Sequence, residues 1–253
     1  MTTRCLGKKH AKLDSRTLKA AKYMSSMPGY HAAPPWRDWT DKAAPNWGMM
    51  LNNSLGDCTV AATGHLVQTW TSEHGSELTI PDSAILKAYE DVGNYKPGDP
   101  STDNGAQMLD VLNYWRNTGI GGHKINSFVQ IDYHNLDEVK AAINLFGAIY
   151  VGVMLPTSAQ KQTTWTGSTD RPLTGDNSPN SWGGHAIMAA TYDRSTITFI
   201  TWGTKQRADW QWWADYVDEC YAVISNEWVT ANMAAPNGFD LAALVADLST
   251  LQV

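Results

Sequence analysis

The sequence predicts an α+β fold: a helical N-terminal half packed on a mostly antiparallel β half, with a cleft between them. Three observations predict it. Apolar helical patterns with capping residues dominate from about 46 to 125. Beyond Phe128 the pattern turns to short runs rich in β-branched and aromatic residues. A cysteine opens the first long helix, and a histidine opens a strand 127 residues later.

The elements follow in order. Residues 1–27 read as a basic arm with a short helix, begun by Asp14 or Ser15 and running to about Met24. Pro28, Gly29, Pro34, Pro35 and Pro45 then impose an extended connection. Cys58 to about Glu73 is the central helix, with Ala61, Ala62 and Gly64 keeping one face slim. Helices follow at 82–91, 105–118 and 136–146. Strands are expected at 128–131, 148–155, 186–192, 196–202 and 221–224. The polar stretch from Pro156 to Trp182 reads as a long loop ending beside His185. Residues 28–235 make one domain, its β-rich part spanning about 126–230, and 236–253 add a C-terminal helix.

Composition narrows the function classes. The 253 residues hold three cysteines with no CxxC pair, so neither a disulfide framework nor a zinc site is indicated. Cys5 and Cys220 have no helix-start or histidine context and read as structural. Counted as a calcium loop from Asp99, residues 99–110 put Asn104 where glycine is required and Asp110 where glutamate is required. No cofactor or metal is called for. No apolar run reaches the roughly 18–20 residues of a membrane span. No signal-peptide core is evident, so the expected location is the cytoplasm or the interior of a virion.

Charge is unevenly spread. The formal net charge is −6, yet residues 1–22 carry Arg4, Lys8, Lys9, Lys12, Arg16, Lys19 and Lys22 against Asp14 alone. A basic arm on an acidic body suits docking on an acidic protein surface or nucleic acid. The plainer alternative is a solvated amphipathic helix.

The chemistry lies in Asn52-Asn53-Ser54-Leu55-Gly56-Asp57-Cys58 and in Gly183-Gly184-His185. A cysteine at a helix N-terminus faces unpaired N–H groups and the positive end of the helix dipole, which favour the thiolate. A histidine in contact completes an ion pair. Asp57, directly before the cysteine, is expected to cap the helix. His65, two turns into that helix, reads as a packing residue.

These residues resemble the papain-like cysteine peptidases. The Cys-before-His order and spacing carry the resemblance. So do Trp36-Arg37-Asp38-Trp39, Leu78-Thr79-Ile80-Pro81-Asp82-Ser83, Asp103-Asn104-Gly105-Ala106 and Thr201-Trp202-Gly203-Thr204. The resemblance implies Cys58 as nucleophile, His185 as base and Asn52 as oxyanion donor, in place of the family's glutamine. It places Ile200 where the family has its orienting asparagine, under Trp202 and against the His185 ring. Trp165, Trp182 and Trp202 are expected to line a substrate groove. Two functions remain open. One is a thiol hydrolase, most simply a slow cysteine peptidase acting on peptides or proteins through a Cys58–His185 dyad. The other is a non-catalytic papain-like scaffold of a viral particle or other assembly, anchored by the arm.

Overall fold

A computed structural model of the chain describes residues 3–24, 33–73, 75–225, 228 and 246–247. The elements are α1 (Ala20–Met24), β1 (Arg37–Asp38), α2 (Cys58–Ser72), α3 (Asp82–Gly93), α4 (Met108–Asn117), β2 (Ile125–Gln130), α5 (Leu136–Phe146), β3 (Ile149–Leu155), β4 (Gly183–Tyr192), β5 (Thr196–Thr201), β6 (Thr204–Asp209), α6 (Trp210–Tyr216) and β7 (Val217–Ser225). The tail expected to form a C-terminal helix lies almost wholly outside the described residues.

The strands form one antiparallel sheet in the order β2-β7-β3-β4-β5-β6. β3 leaves the last residues of β4 unpaired on its side, and β1 takes them at Tyr192 and Thr191. Side chains alternate between the two faces. Tyr150, Ala186, Met188, Ile200, Tyr221 and Val223 face the core shared with α2, α3 and α4. Val151, Ile187, Ala189, Phe199 and Ala222 face the other core, closed by α5, α6 and a tryptophan group. The central strands β3, β4 and β7 are therefore apolar on both faces.

Capping explains the helix starts. Asn135 accepts from the Glu138 N–H at 3.3 Å and sets α5. Asp209 accepts from the Trp212 N–H at 2.6 Å and sets α6. Trp210, Trp212 and Trp213 thus belong to a short helix, with Trp212 and Trp213 in the core. The 156–182 loop is held in place: Trp165 N–H bonds Arg207 O at 2.8 Å, and Trp182 N–H bonds Leu155 O at 3.0 Å.

The arm departs most from expectation. Among the described residues of the arm, 20–24 alone are helical. Residues 3–9 run extended between the two halves, as a strap. Cys5 N–H bonds Asn52 O at 3.1 Å, and Trp202 Nε1–H bonds Cys5 O at 3.2 Å. Ala106 N–H bonds Gly7 O at 2.9 Å, Lys9 N–H bonds Ala106 O at 3.0 Å, and Lys8 N–H bonds Gly184 O at 3.1 Å. The strap is pinned to the helical wall at Asn52 and Ala106, and to the sheet wall at Gly184 and Trp202. The solvated-helix expectation fails because these backbone groups find better partners in the cleft. Several basic side chains meet this chain's own acidic body: Lys8 with Asp218 and Glu219, Lys12 with Asp110, and Lys22 with Asp247. Arg16 pairs with Asp14, and Lys19 bonds Gln130.

Candidate active site

The turn before α2 positions the thiol. Gly56 N–H donates to both carboxylate oxygens of Asp103 at 3.1 Å, and Tyr89 hydroxyl donates to Asp103 Oδ1. Asp103 therefore fixes the approach to Cys58, a role that nothing in the spacing of residues 96–105 announced. Asp57 occupies the N-cap position of α2 but makes no side-chain cap hydrogen bond. Its carboxyl instead accepts from Asn52 Nδ2 at 3.2 Å. Burial pushes Asp57 well above the usual carboxylate range, which favours its neutral form.

Asn52 is spent on this turn. Its amide donates to Leu55 O at 3.0 Å and to Asp57 Oδ1. The expectation that the amide aims into the cleft beside the sulfur does not describe this state. The helix start itself offers the remaining donors, because the first backbone N–H groups of α2 have no intrahelical acceptor.

Cys58 Sγ lies where α2 meets β4. It accepts from the backbone N–H of Ala186, next to His185, at 3.4 Å. The Gly7 N–H of the strap lies close enough to the sulfur to favour its thiolate, and the thiol is 1% exposed.

His185 is buried against Trp202, ring centroids 4.2 Å apart and planes 12° apart. Its Nε2 meets Thr201 Oγ1 at 2.6 Å. Its Nδ1 is buried and has no hydrogen-bond partner among the described residues. The group holding the imidazole is therefore Thr201, and the expectation for Ile200 is corrected. Ile200 belongs to the α2 face of the sheet, with Ala186 and Met188. His185 lies on the opposite face, with Ile187 and Phe199. The strand ends at Thr201, and Trp202 and Gly203 turn with φ of 46° and 72°. That turn swings Trp202 out of the alternation, so counting back from it names the wrong residue.

The tryptophans divide. Trp202 carries the histidine on its face, is stacked by Trp182 at 5.5 Å and lies under the Arg4 guanidinium at 5.0 Å. Trp165 is fully buried, stacked on Trp212 at 4.5 Å, with Nε1–H donated to Ala159 O at 3.1 Å. It is core and lines no groove. His65 bonds Gly48 O at 3.2 Å and packs near Trp47.

The closed cleft sets the charge state. Burial pushes the Cys58 thiol up to about 12; Asp57 adds to the rise, and the Ala186 and Gly7 N–H groups and Lys8 oppose it. Burial pulls His185 down to about 3, with Arg4 and His65 contributing. Near neutrality both groups are uncharged. The ion pair expected from the sequence is absent from the closed form because the strap shuts out the water that would solvate it.

No family model and no curated protein matches the chain. Solved structures do. Xylellain, a cysteine protease from Xylella fastidiosa, is similar at a TM-score of 0.64 and 14% identity, over 88% of this chain and 97% of its own. The Carica candamarcensis cysteine protease CMS1MS2, in complex with E-64, gives 0.52 and 16%, over 76% and 99%. Procathepsin L 3 of the Tenebrio molitor larval midgut gives 0.56 and 10%, over 83% and 76%. The chain has the papain-like fold.

Proposed function

We propose that the chain is a papain-like thiol hydrolase acting on peptide bonds, held in a closed state by residues 3–9. One observation carries the reading. Cys58 sits at the start of α2 against the Ala186 N–H, beside a histidine whose Nε2 is held by Thr201 and whose Nδ1 is left unbonded. That is a nucleophile at a helix N-terminus with an oriented base that has one nitrogen free for proton transfer.

Once the strap leaves, Cys58 gives its proton to His185 and the sulfur attacks a peptide carbonyl. The N–H groups at the start of α2 stabilise the oxyanion. Collapse expels the amine, which takes the proton from His185 and leaves a thioester. A water molecule then gives a proton to His185 and attacks the thioester. The acid departs, and the proton returns to Cys58. Throughout, Thr201 and Trp202 hold the ring in one plane.

One observation favours a non-catalytic scaffold instead: no hydrogen bond joins Sγ to His185, and the thiol is buried and neutral. Labelling with an epoxide or vinyl-sulfone electrophile separates the two. We expect slow labelling of Cys58 in the wild-type protein, fast labelling of it in Gly7→Val, and no label at position 58 in Cys58→Ala. A folded Gly7→Val protein that stays unlabelled would establish the scaffold.

A further inference from the structure

The strap enters the cleft with one charged side chain, and its surroundings are built for it. Lys8 has a fully buried side chain in a basic, otherwise largely exposed arm. Its Nζ lies 2.7 Å from Asp218 Oδ2, 3.1 Å from Glu219 Oε1 and 3.3 Å from Lys9 O. Glu219 is 1% exposed, and its other oxygen accepts from Tyr221 hydroxyl at 3.0 Å. A buried carboxylate next to a second one is costly unless a cation pairs with it.

The walls fit a long unbranched stem. A Cβ placed on Gly152 would stand 2.3 Å from Lys8 Cε and 2.8 Å from Met108 Sδ. Any residue but glycine at 152 would fill the channel that the lysine stem occupies. The pocket also has acceptors to spare. Glu219 Oε1, although close to Nζ, is outside hydrogen-bonding geometry, and Asp218 Oδ1 has no partner; both are buried. Lysine meets Glu219 Oε1 only as an ion pair and leaves Asp218 Oδ1 unused, whereas a guanidinium has five donors to share between them.

We propose that Asp218, Glu219, Tyr221 and Gly152 form a cation-selective subsite of the cleft, which takes the lysine or arginine side chain of a peptide and which Lys8 fills in the closed form. The subsite adjoins Cys58, since Gly7, next to Lys8, packs on Gly56 at the approach to α2, and Lys8 N–H bonds Gly184 O, next to His185. As a substrate assignment the proposal rests on the hydrolase reading above; as a binding site it does not.

The full chain tests it, with the strap as its own ligand and iodoacetamide alkylation of Cys58, followed by mass spectrometry, as the readout. Lys8→Arg should keep Cys58 as protected as in the wild type. Lys8→Met, equal in length and apolar, should expose it, raising the alkylation rate about tenfold or more. Short uncleavable peptides added to the Lys8→Met protein should then protect Cys58 in the order arginine, lysine, norleucine, with norleucine at least tenfold weaker. If Lys8→Met does not fold, the double variant Asp218→Asn, Glu219→Gln carries the same test and should expose Cys58 with Lys8 intact. Equal protection by Met and Lys at position 8, or by norleucine and lysine peptides, overturns the subsite. The order of protection is read whether or not any peptide is cut. A correct order without turnover would remove the hydrolase reading and leave the subsite standing.

Discussion

Two neighbouring residues of one strap do opposite things to the groups they cover. At Gly7 the strap brings no charge and no side chain, only an N–H and a close fit. Beneath it, burial leaves the thiol and imidazole both neutral. At Lys8 the strap brings its ammonium to Asp218 and Glu219. Burial still raises the Glu219 carboxyl, but Lys8 opposes that rise, whereas Arg4 and His65 add to the lowering of His185. One segment can therefore silence a reactive pair and anchor itself within the span of two residues.

The largest effect expected is from Cys58→Ala. Labelling at position 58 by thiol-directed electrophiles, and any peptide hydrolysis, should fall to background, while the free thiol of Cys5 on the strap is told apart by its own peptide. Mass spectrometry of the labelled site checks it; residual turnover at the wild-type level would assign the chemistry elsewhere.

Gly7→Val breaks the comparison on the uncharged side. A Cβ at Gly7 would stand 1.7 Å from Gly56 O, which is backbone and cannot swing away. The strap must lift. Alkylation of Cys58 should rise about tenfold to a hundredfold, like that of Lys8→Met but by sterics rather than charge. If Gly7→Val exposes Cys58 and Lys8→Met does not, closure depends on fit alone.

Thr201→Val, made in the Gly7→Val background, removes the partner of His185 Nε2 and keeps the shape. The imidazole then keeps only its Trp202 stack. Turnover should fall about tenfold to a hundredfold with KM little changed, since the third group positions the base. Thr201→Ser should retain most of the activity. An Ile200→Asn change should not substitute for Thr201, because residue 200 faces the other core.

The pH dependence of closure follows from the same pair. In the open form the thiolate and imidazolium share one proton, as the two neutral groups do in the closed form, so closure is insensitive to pH between about 6 and 8. Below about 6 the open form takes up a further proton on the thiolate, while the closed form, with the ring held down to about 3, does not. Closure thus weakens as pH falls below about 6. Above about 8 the open form loses the imidazolium proton, while the closed form keeps the thiol proton up to about 12. Closure weakens again as pH rises through that window. Amide exchange at Gly7 and Lys8, corrected for intrinsic rates, should show greatest protection between about 6 and 8. Arg4 and His65 beside the histidine, and Asp57 and Lys8 beside the thiol, set the positions of those limits.

The smallest expected effect on turnover is from Asn52→Ala. The change leaves Leu55 O and Asp57 Oδ1 without their donor, at a cost of about 1–3 kcal/mol in stability. Thermal unfolding should register it. A loss of 10²–10³ in turnover with unchanged stability would return Asn52 to the oxyanion role.

The particular elements show what local sequence carries. α5 was legible because Asn135 caps it and its apolar positions recur at helical spacing, and the observed bounds match the expected ones. β3 and β4 were legible as apolar runs buried on both faces. β6, Thr204–Asp209, was missed because its exposed polar residues show no alternation. α6 was hidden by aromatic residues that suggest strands, although Asp209 offered a cap. Cys58 and His185 could be read from helix-start and glycine context. Thr201 could not, because a turn at Trp202 broke the count. Gly7 and Lys8 were invisible as cleft residues, since what fixes them is backbone and carboxylates from distant strands.

The central claim is that removing the strap turns a neutral buried thiol into one activated by His185. The pH profile of Cys58 alkylation by iodoacetamide in the Gly7→Val protein tests it most directly, with the wild type alongside. The wild-type rate should climb about tenfold per pH unit from 6 to 9, following a thiol that is pushed up to about 12. The Gly7→Val rate should be nearly flat from pH 6 to 8, the mark of a thiolate already formed, and His185→Ala should restore the slope. A Gly7→Val profile as steep as the wild type's, in a folded protein with an accessible Cys58, would contradict the account.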